Sequence, residues 1–160
     1  MNYTLRFVHS NGNNKISTLE SYSLYCLIIQ LLMVDGNGLL HPRGFGLACH
    51  LGVMANLPTI GIGKNLHVID GLSRSKVRHD LENGGKDSVI LQGDSGVIWG
   101  AAVLSAKNTK NPIFVSVGHR IALETCIEVT KMLCKYRVPE PIRQADIRSR
   151  EHLRKSCEYI

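Results

Sequence analysis

Apolar positions along the chain fall into short blocks separated by turn formers, and the spacing within each block predicts its element. "SYSLYCLIIQLLMV" reads as a short helix running into a strand, or as a strand alone, and stops at Asp35. "FGLACHLGVMAN" sets Leu47, His50, Leu51 and Met54 at helical spacing, which predicts a helix despite Gly46 and Gly52. "LPTIGIG" reads as a buried strand opened by Pro58 and closed by Gly63. This strand–helix–strand spacing predicts two adjacent parallel strands, joined by a right-handed crossover. Residues 66–87 are mixed and charged, a loop with a short helix near 73–83. "SVILQG" and "GVIWGAAVLS" flank Asp94–Gly96 as a hairpin, and "NPIFVSVG" is a further strand. "HRIALETCIEVTKMLCKY" places Leu123, Ile127, Thr130 and Leu133 on one helical face. Pro139 and Pro141 belong to a loop before a final basic helix. By contrast, "HSNGNNKIST" near the start is polar and rich in Gly and Asn, a loop or a poorly ordered stretch. Residues 1–27 are therefore set apart as a divergent segment, and residues 28–160 form one mixed α/β unit.

Composition narrows the class. The 160 residues suit one domain, and 44% apolar content is enough for a core. The formal charge of +6 favours an anionic partner, nucleic acid or an anionic surface, and is silent on fold. Cys26, Cys49, Cys126, Cys134 and Cys157 are odd in number and form no C-x-x-C pair, which reads as reduced thiols in an intracellular protein without a zinc site. The apolar run from Leu24 to Val34 contains Gln30 and is too short to span a bilayer, and the first residues do not read as a signal peptide.

Candidate chemistry gathers where predicted strands end. Asp35 opens "DGNG" at the carboxyl end of a strand, where α/β sheets assemble ligand sites. It either starts a turn or offers a carboxylate to a hard cation, which takes oxygen ligands, usually one or two of them protein carboxylates. His41 and Arg43 lie before the next predicted helix, a natural place for an anion; Arg43 taken alone reads as a solvated loop residue. His50, among Leu47, Leu51 and Met54, reads as a core histidine. Lys64 follows "TIGIG", whose glycines let the chain pass close to another group, and His119 and Arg120 follow "VSVG". Three strand ends thus carry Asp, Lys and His/Arg, and their convergence on one edge is expected. Asp146, flanked by Arg143, Arg148 and Arg150, falls near the start of the last helix, where the helix dipole alone would favour an acid.

Taken in order, "VDGNG…HPRGFG…H", "PTIGIGK", "SVGHR" and "PEPIRQAD" resemble the endonuclease V family, from about Val34 to about Lys155. The resemblance implies a ribonuclease-H-like mixed sheet flanked by helices. It also implies dependence on Mg²⁺, with Mn²⁺ as a substitute, and cleavage of a phosphodiester 3′ to inosine in single-stranded RNA or to deoxyinosine in DNA. It casts Asp35 and Asp146 as catalytic metal ligands and sets His41 and Lys64 near the scissile phosphate; Arg43, His119 and Arg120 join them as substrate-binding candidates from their strand- and helix-end positions. The same resemblance points to the cytoplasm and the nucleus or nucleolus. Two departures stand out. The family's first strands, with their aspartate, wedge segment and glutamate, have no counterpart in residues 1–27, and the usual "AKK" reads "GKN", with Asn65 at the second lysine. The expectation is a shortened endonuclease V fold with impaired cleavage. The rivals are a non-catalytic nucleic-acid-binding module using Arg43, Lys64, Arg120 and the 143–155 helix, and a small-ligand α/β protein.

Overall fold

A computed structural model describes residues 6–8, 31–85, 87–105, 109 and 111–157. Its element order is β1 (Arg6–Val8), β2 (Leu32–Asp35), α1 (Leu47–Ala55), β3 (Thr59–Gly63), α2 (Arg74–Asn83), β4 (Ser88–Gln92), β5 (Ile98–Val103), β6 (Ile113–His119), α3 (Leu123–Leu133) and α4 (Glu140–Cys157). The helix-or-strand alternative for residues 21–30 lies outside the described residues, as does the polar stretch 9–18.

The strands form one mixed sheet in the order β1-β2-β3-β6-β5-β4. β1, β2 and β3 run parallel, and β2 is matched to β3 so that Asp35 lies opposite Ile62. The expected crossover through α1 is therefore present. β6 runs antiparallel to β3, with Gly63 opposite Phe114 and Thr59 opposite His119. β5 and β4 follow as the expected hairpin. Within the described residues no helix is long and apolar enough to cross a membrane.

Alternation along the strands sends side chains to two cores. Met33, Ile60, Ile62, Ala101, Val103, Ile113 and Val115 share one face with Cys126 of α3 and Ile142 of α4. Ala102, Phe114 and Leu91 share the other with Leu40, Leu66, Leu72, and with Val77 and Leu81 of α2. Each buried Ile, Leu or Val side chain stabilises the fold by ~1.5–3 kcal/mol relative to an exposed one.

Two helices pack differently from expectation. α1 buries Ala48, Cys49 and Gly52, while Met54 is 80% exposed and His50 is exposed against the edge of the Phe45 ring. His50 is thus not a core residue. The reason is distance: a Cβ on Gly52 would run into His119 and Thr59, so α1 approaches the sheet through its small residues and turns its large ones outward. α4 begins at Glu140, so Pro141 lies inside its first turn rather than before it. Proline is acceptable there because first-turn N–H groups have no intrahelical partner.

Candidate functional site

The site is built from the segment that follows β2. Gly36 donates its N–H to the Ile62 carbonyl, Gly38 N–H reaches the Ser116 hydroxyl (2.8 Å), and Leu39 N–H reaches the Val117 carbonyl (2.8 Å). Rather than leaving the sheet, the chain crosses the face of β3 towards β6. Glycine at 61 makes this path possible: a Cβ there would strike the backbone of Gly36, Asn37 and Gly38. A Cβ on Gly38 would strike the Val117 carbonyl. The obstruction at Gly63 is of another kind, since a Cβ would meet only the side-chain amide of Asn37. The group that the glycines of "TIGIG" let pass is thus the "DGNG" loop itself. Asn37 Oδ1 is buried there without a hydrogen-bond partner among the described residues.

At the mouth of this cradle, Lys64 Nζ lies 2.7 Å from Asp35 Oδ2, with the two side chains 41% and 21% exposed. The parallel register of β2 and β3 brings them together. Further along the loop, the Arg43 N–H donates to His41 Nδ1 (3.2 Å), and the His41 ring meets His67 edge-on with centroids 5.9 Å apart. Loss of surrounding water lowers the His41 pKa below its usual 6.5, and the Arg43 guanidinium lowers it further, with smaller coulombic contributions from the neighbouring His67 and His50 rings. A neutral imidazole that accepts at Nδ1 carries its proton on Nε2, which is then a donor for an anionic oxygen. His67 follows Lys64 by three residues, so the "HPR" segment and the Lys64 segment adjoin.

Sequence reading missed the device that holds this loop from the far side. Asp70, in the left-handed region at φ 49°, accepts hydrogen bonds from the N–H and hydroxyl of Ser95 and from Trp99 Nε1 (2.8 Å). These bonds, the Ser95 hydroxyl first, hold the Asp70 carboxyl below the usual carboxylate range. The Trp99 ring in turn packs beside Gly44. The available signal was the pair of turn sequences, "DG" at 70–71 and "GDSG" at 93–96, which dock on each other.

The expected convergence of three strand ends needs correcting. Because β6 is antiparallel to β3, His119 lies beside Thr59, where β3 begins, and Arg120 donates to Asn56 Oδ1 (2.8 Å) at the end of α1. His119 and Arg120 therefore occupy the edge of the sheet opposite Asp35 and Lys64. Asp146 lies in the second turn of α4, which packs against β1 and β2, and its carboxylate is bound by Arg150 (2.9 Å).

Asp35 holds a lysine and Asp146 an arginine, and among the described residues no three His, Cys, Asp or Glu side chains gather to hold a metal ion. The described side chains do not by themselves form a centre for two metal ions.

Comparison with known proteins decides the family. The endonuclease V family model matches residues 15–147. The chain belongs to the endonuclease V family. Human endonuclease V is 49% identical over 134 residues, 81% of this chain and 47% of the human protein. Mouse endonuclease V is 49% identical over 137 residues, 84% of this chain and 40% of the mouse protein. The chain thus spans about half the length of these endonuclease V relatives. The fold superposes on the crystal structure of the human endonuclease V catalytic domain with a TM-score of 0.76 at 46% identity, covering 82% of this chain and 55% of that one. It also superposes on endonuclease V of Ciona intestinalis, solved with a 23mer DNA containing an inosine followed by a ribo-adenosine. There the TM-score is 0.76 at 38% identity, with coverage of 81% and 56%. The endonuclease V match begins at residue 15, inside the segment that sequence reading set apart, and of residues 1–27 the structure describes only β1.

Proposed function

We propose that this chain carries the strand-binding half of an endonuclease V site. It would recognise inosine in single-stranded RNA or in DNA and serve Mg²⁺-dependent cleavage of the phosphodiester on its 3′ side, with Mn²⁺ able to substitute. The observation that carries this reading is the "DGNG" loop laid over Gly61 beside the Asp35–Lys64 pair. The path holds the loop and the end of the strand bearing Asp35 in fixed register with Lys64, and a lysine there suits a phosphate. In this arrangement Lys64 neutralises a phosphate oxygen, His41 Nε2–H and Arg43 orient the neighbouring one, and Asp35 supplies one carboxylate for a hard cation. Asp146 is the second family carboxylate.

Two facts favour low turnover by this chain alone, and with it the reading as a nucleic-acid-binding module. Both candidate carboxylates are occupied by cationic side chains, and the described residues gather no third ligand. A phosphodiesterase working with two metal ions needs several carboxylates at fixed geometry to keep the cations together.

The test compares cleavage of inosine-containing single-stranded RNA and DNA in Mg²⁺ and in Mn²⁺ with binding in EDTA. The expected result is inosine-selective binding with weak turnover that Asp35→Ala abolishes. Equal affinity for inosine- and guanosine-containing strands would overturn the reading.

A further inference from the structure

Beyond Lys64 the surface continues into a groove of about 590 Å³, within the ~300–1,000 Å³ range usual for ligand clefts. Arg74 and Arg78 of α2 line one wall, Asn111 and Arg137 line the other, and Phe114 contributes an apolar surface. Lys64 stands in the lining too, so the groove opens from the candidate site. We propose that this groove carries the phosphate backbone of the single strand away from the inosine site, along α2. The proposal rests on the functional reading above and adds a second contact region to it.

Three observations carry it. First, the lining holds four basic side chains, Lys64, Arg74, Arg78 and Arg137, against one acid, Glu82. That acid lies 3.7 Å from Arg78 and offsets part of its charge, and Asp35 pairs with Lys64 at the mouth, so Arg74 and Arg137 are the cations that keep the lining net positive. Second, Arg137 is fixed in place without a carboxylate. Its guanidinium donates to the carbonyls of Lys64 (2.9 Å), Asn111 (3.2 Å) and Pro112 (3.2 Å), so it anchors the wall and keeps its charge unneutralised by those partners. Third, Arg74 and Arg78 are four residues apart on α2 and project from one helical face, the spacing of a charged rail. Multiple cations strung along a groove, with an apolar side chain among them, suit a single strand read without sequence preference.

The experiment measures binding of the full chain in EDTA by fluorescence anisotropy, at several salt concentrations. One inosine-containing RNA is confined to a few nucleotides around the inosine, and another extends by about ten nucleotides on each side. Arg74→Ala/Arg78→Ala is compared with the wild-type chain; both positions are exposed on a helix and alanine favours helix, so folding is retained and is checked by circular dichroism. On the long strand the double variant is expected to bind at least tenfold more weakly, and its salt slope is expected to fall by about 1.4, two phosphates at ~0.7 each. The short strand is expected to bind both proteins within about twofold. Equal loss on short and long strands, or an unchanged slope on the long one, would overturn the groove. If long strands bind with the predicted slope change while inosine gives no advantage over guanosine, the groove stands and the inosine reading falls.

Discussion

Lys64 Nζ and Asp35 Oδ2 stand 2.7 Å apart across the ends of two parallel strands. Each holds the other's charge in reserve: the lysine offers a cation for phosphate only by loosening from the acid, and the acid accepts a metal ion only by releasing the lysine. Asp35→Asn is therefore expected to strengthen binding of single-stranded RNA in EDTA by a few-fold while removing any Mg²⁺-dependent cleavage. Stability should change by no more than about 1 kcal/mol, because the pair is partly exposed. Anisotropy titrations, a cleavage assay in Mg²⁺ and urea midpoints measure the three effects.

The two glycines of "GIG" are expected to differ. Gly61→Ala forces a methyl group against the backbone of residues 36–38 and should cost ~1–3 kcal/mol, the usual range for overpacking. Gly63→Ala meets only the Asn37 amide, which can rotate, so its cost should stay below about 1 kcal/mol. Equal urea midpoints for the two variants would contradict the seating of the loop.

Arg120→Ala removes a hydrogen bond to Asn56 at the end of α1 and touches nothing near Asp35. Its RNA affinity and salt slope are expected to match the wild type, whereas Lys64→Ala should lower the slope by about 0.7, one phosphate contact. A slope lowered equally by both substitutions would show that the far edge of the sheet also meets nucleic acid.

Glu140 supplies a pH signature. Hydrogen bonds from Arg143 and Gln144 hold its carboxyl at about 2, below its ordinary 4.5. A depressed carboxyl contributes stability that is present above the unfolded value and lost as pH falls through the folded one. Thermal melts are thus expected to show a loss between about pH 4.5 and about pH 2 that is smaller in Glu140→Gln. The pair is partly exposed, so the difference should shrink in high salt.

Much of the fold was legible because period and punctuation are local. The 59–63 strand, the 94–96 hairpin and the amphipathic α3 each follow from residues within their own span. Strand direction is not local. "SVGHR" looks like a third strand end of the same kind as "MVD" and "IGK", and only the chain's return through α2 and the hairpin reverses it. The burial of α1 was misread for a related reason: periodicity weighs large apolar residues, whereas close approach to the sheet selects Ala48, Cys49 and Gly52. The pairing of Asp35 with Lys64 was within reach, since both were expected at one edge. For the Asp70–Ser95–Trp99 contacts the sequence shows two turns but not their docking, because Asp70 meets a turn residue 25 positions on and a strand residue 29 positions on.

Gly61 has one more implication. The loop's seat depends on a missing atom: the hydrogen bonds of Gly36, Gly38 and Leu39 to Ile62, Ser116 and Val117 form only because residue 61 carries no side chain. A copy of this chain drifting under mutation could keep every basic residue and every strand and still lose the loop through a single codon change. The sheet would pair as before, and far-ultraviolet spectra would look unaltered. The damage would show in the amide resonances of residues 36–39, which makes them the place to look first in any inactive relative.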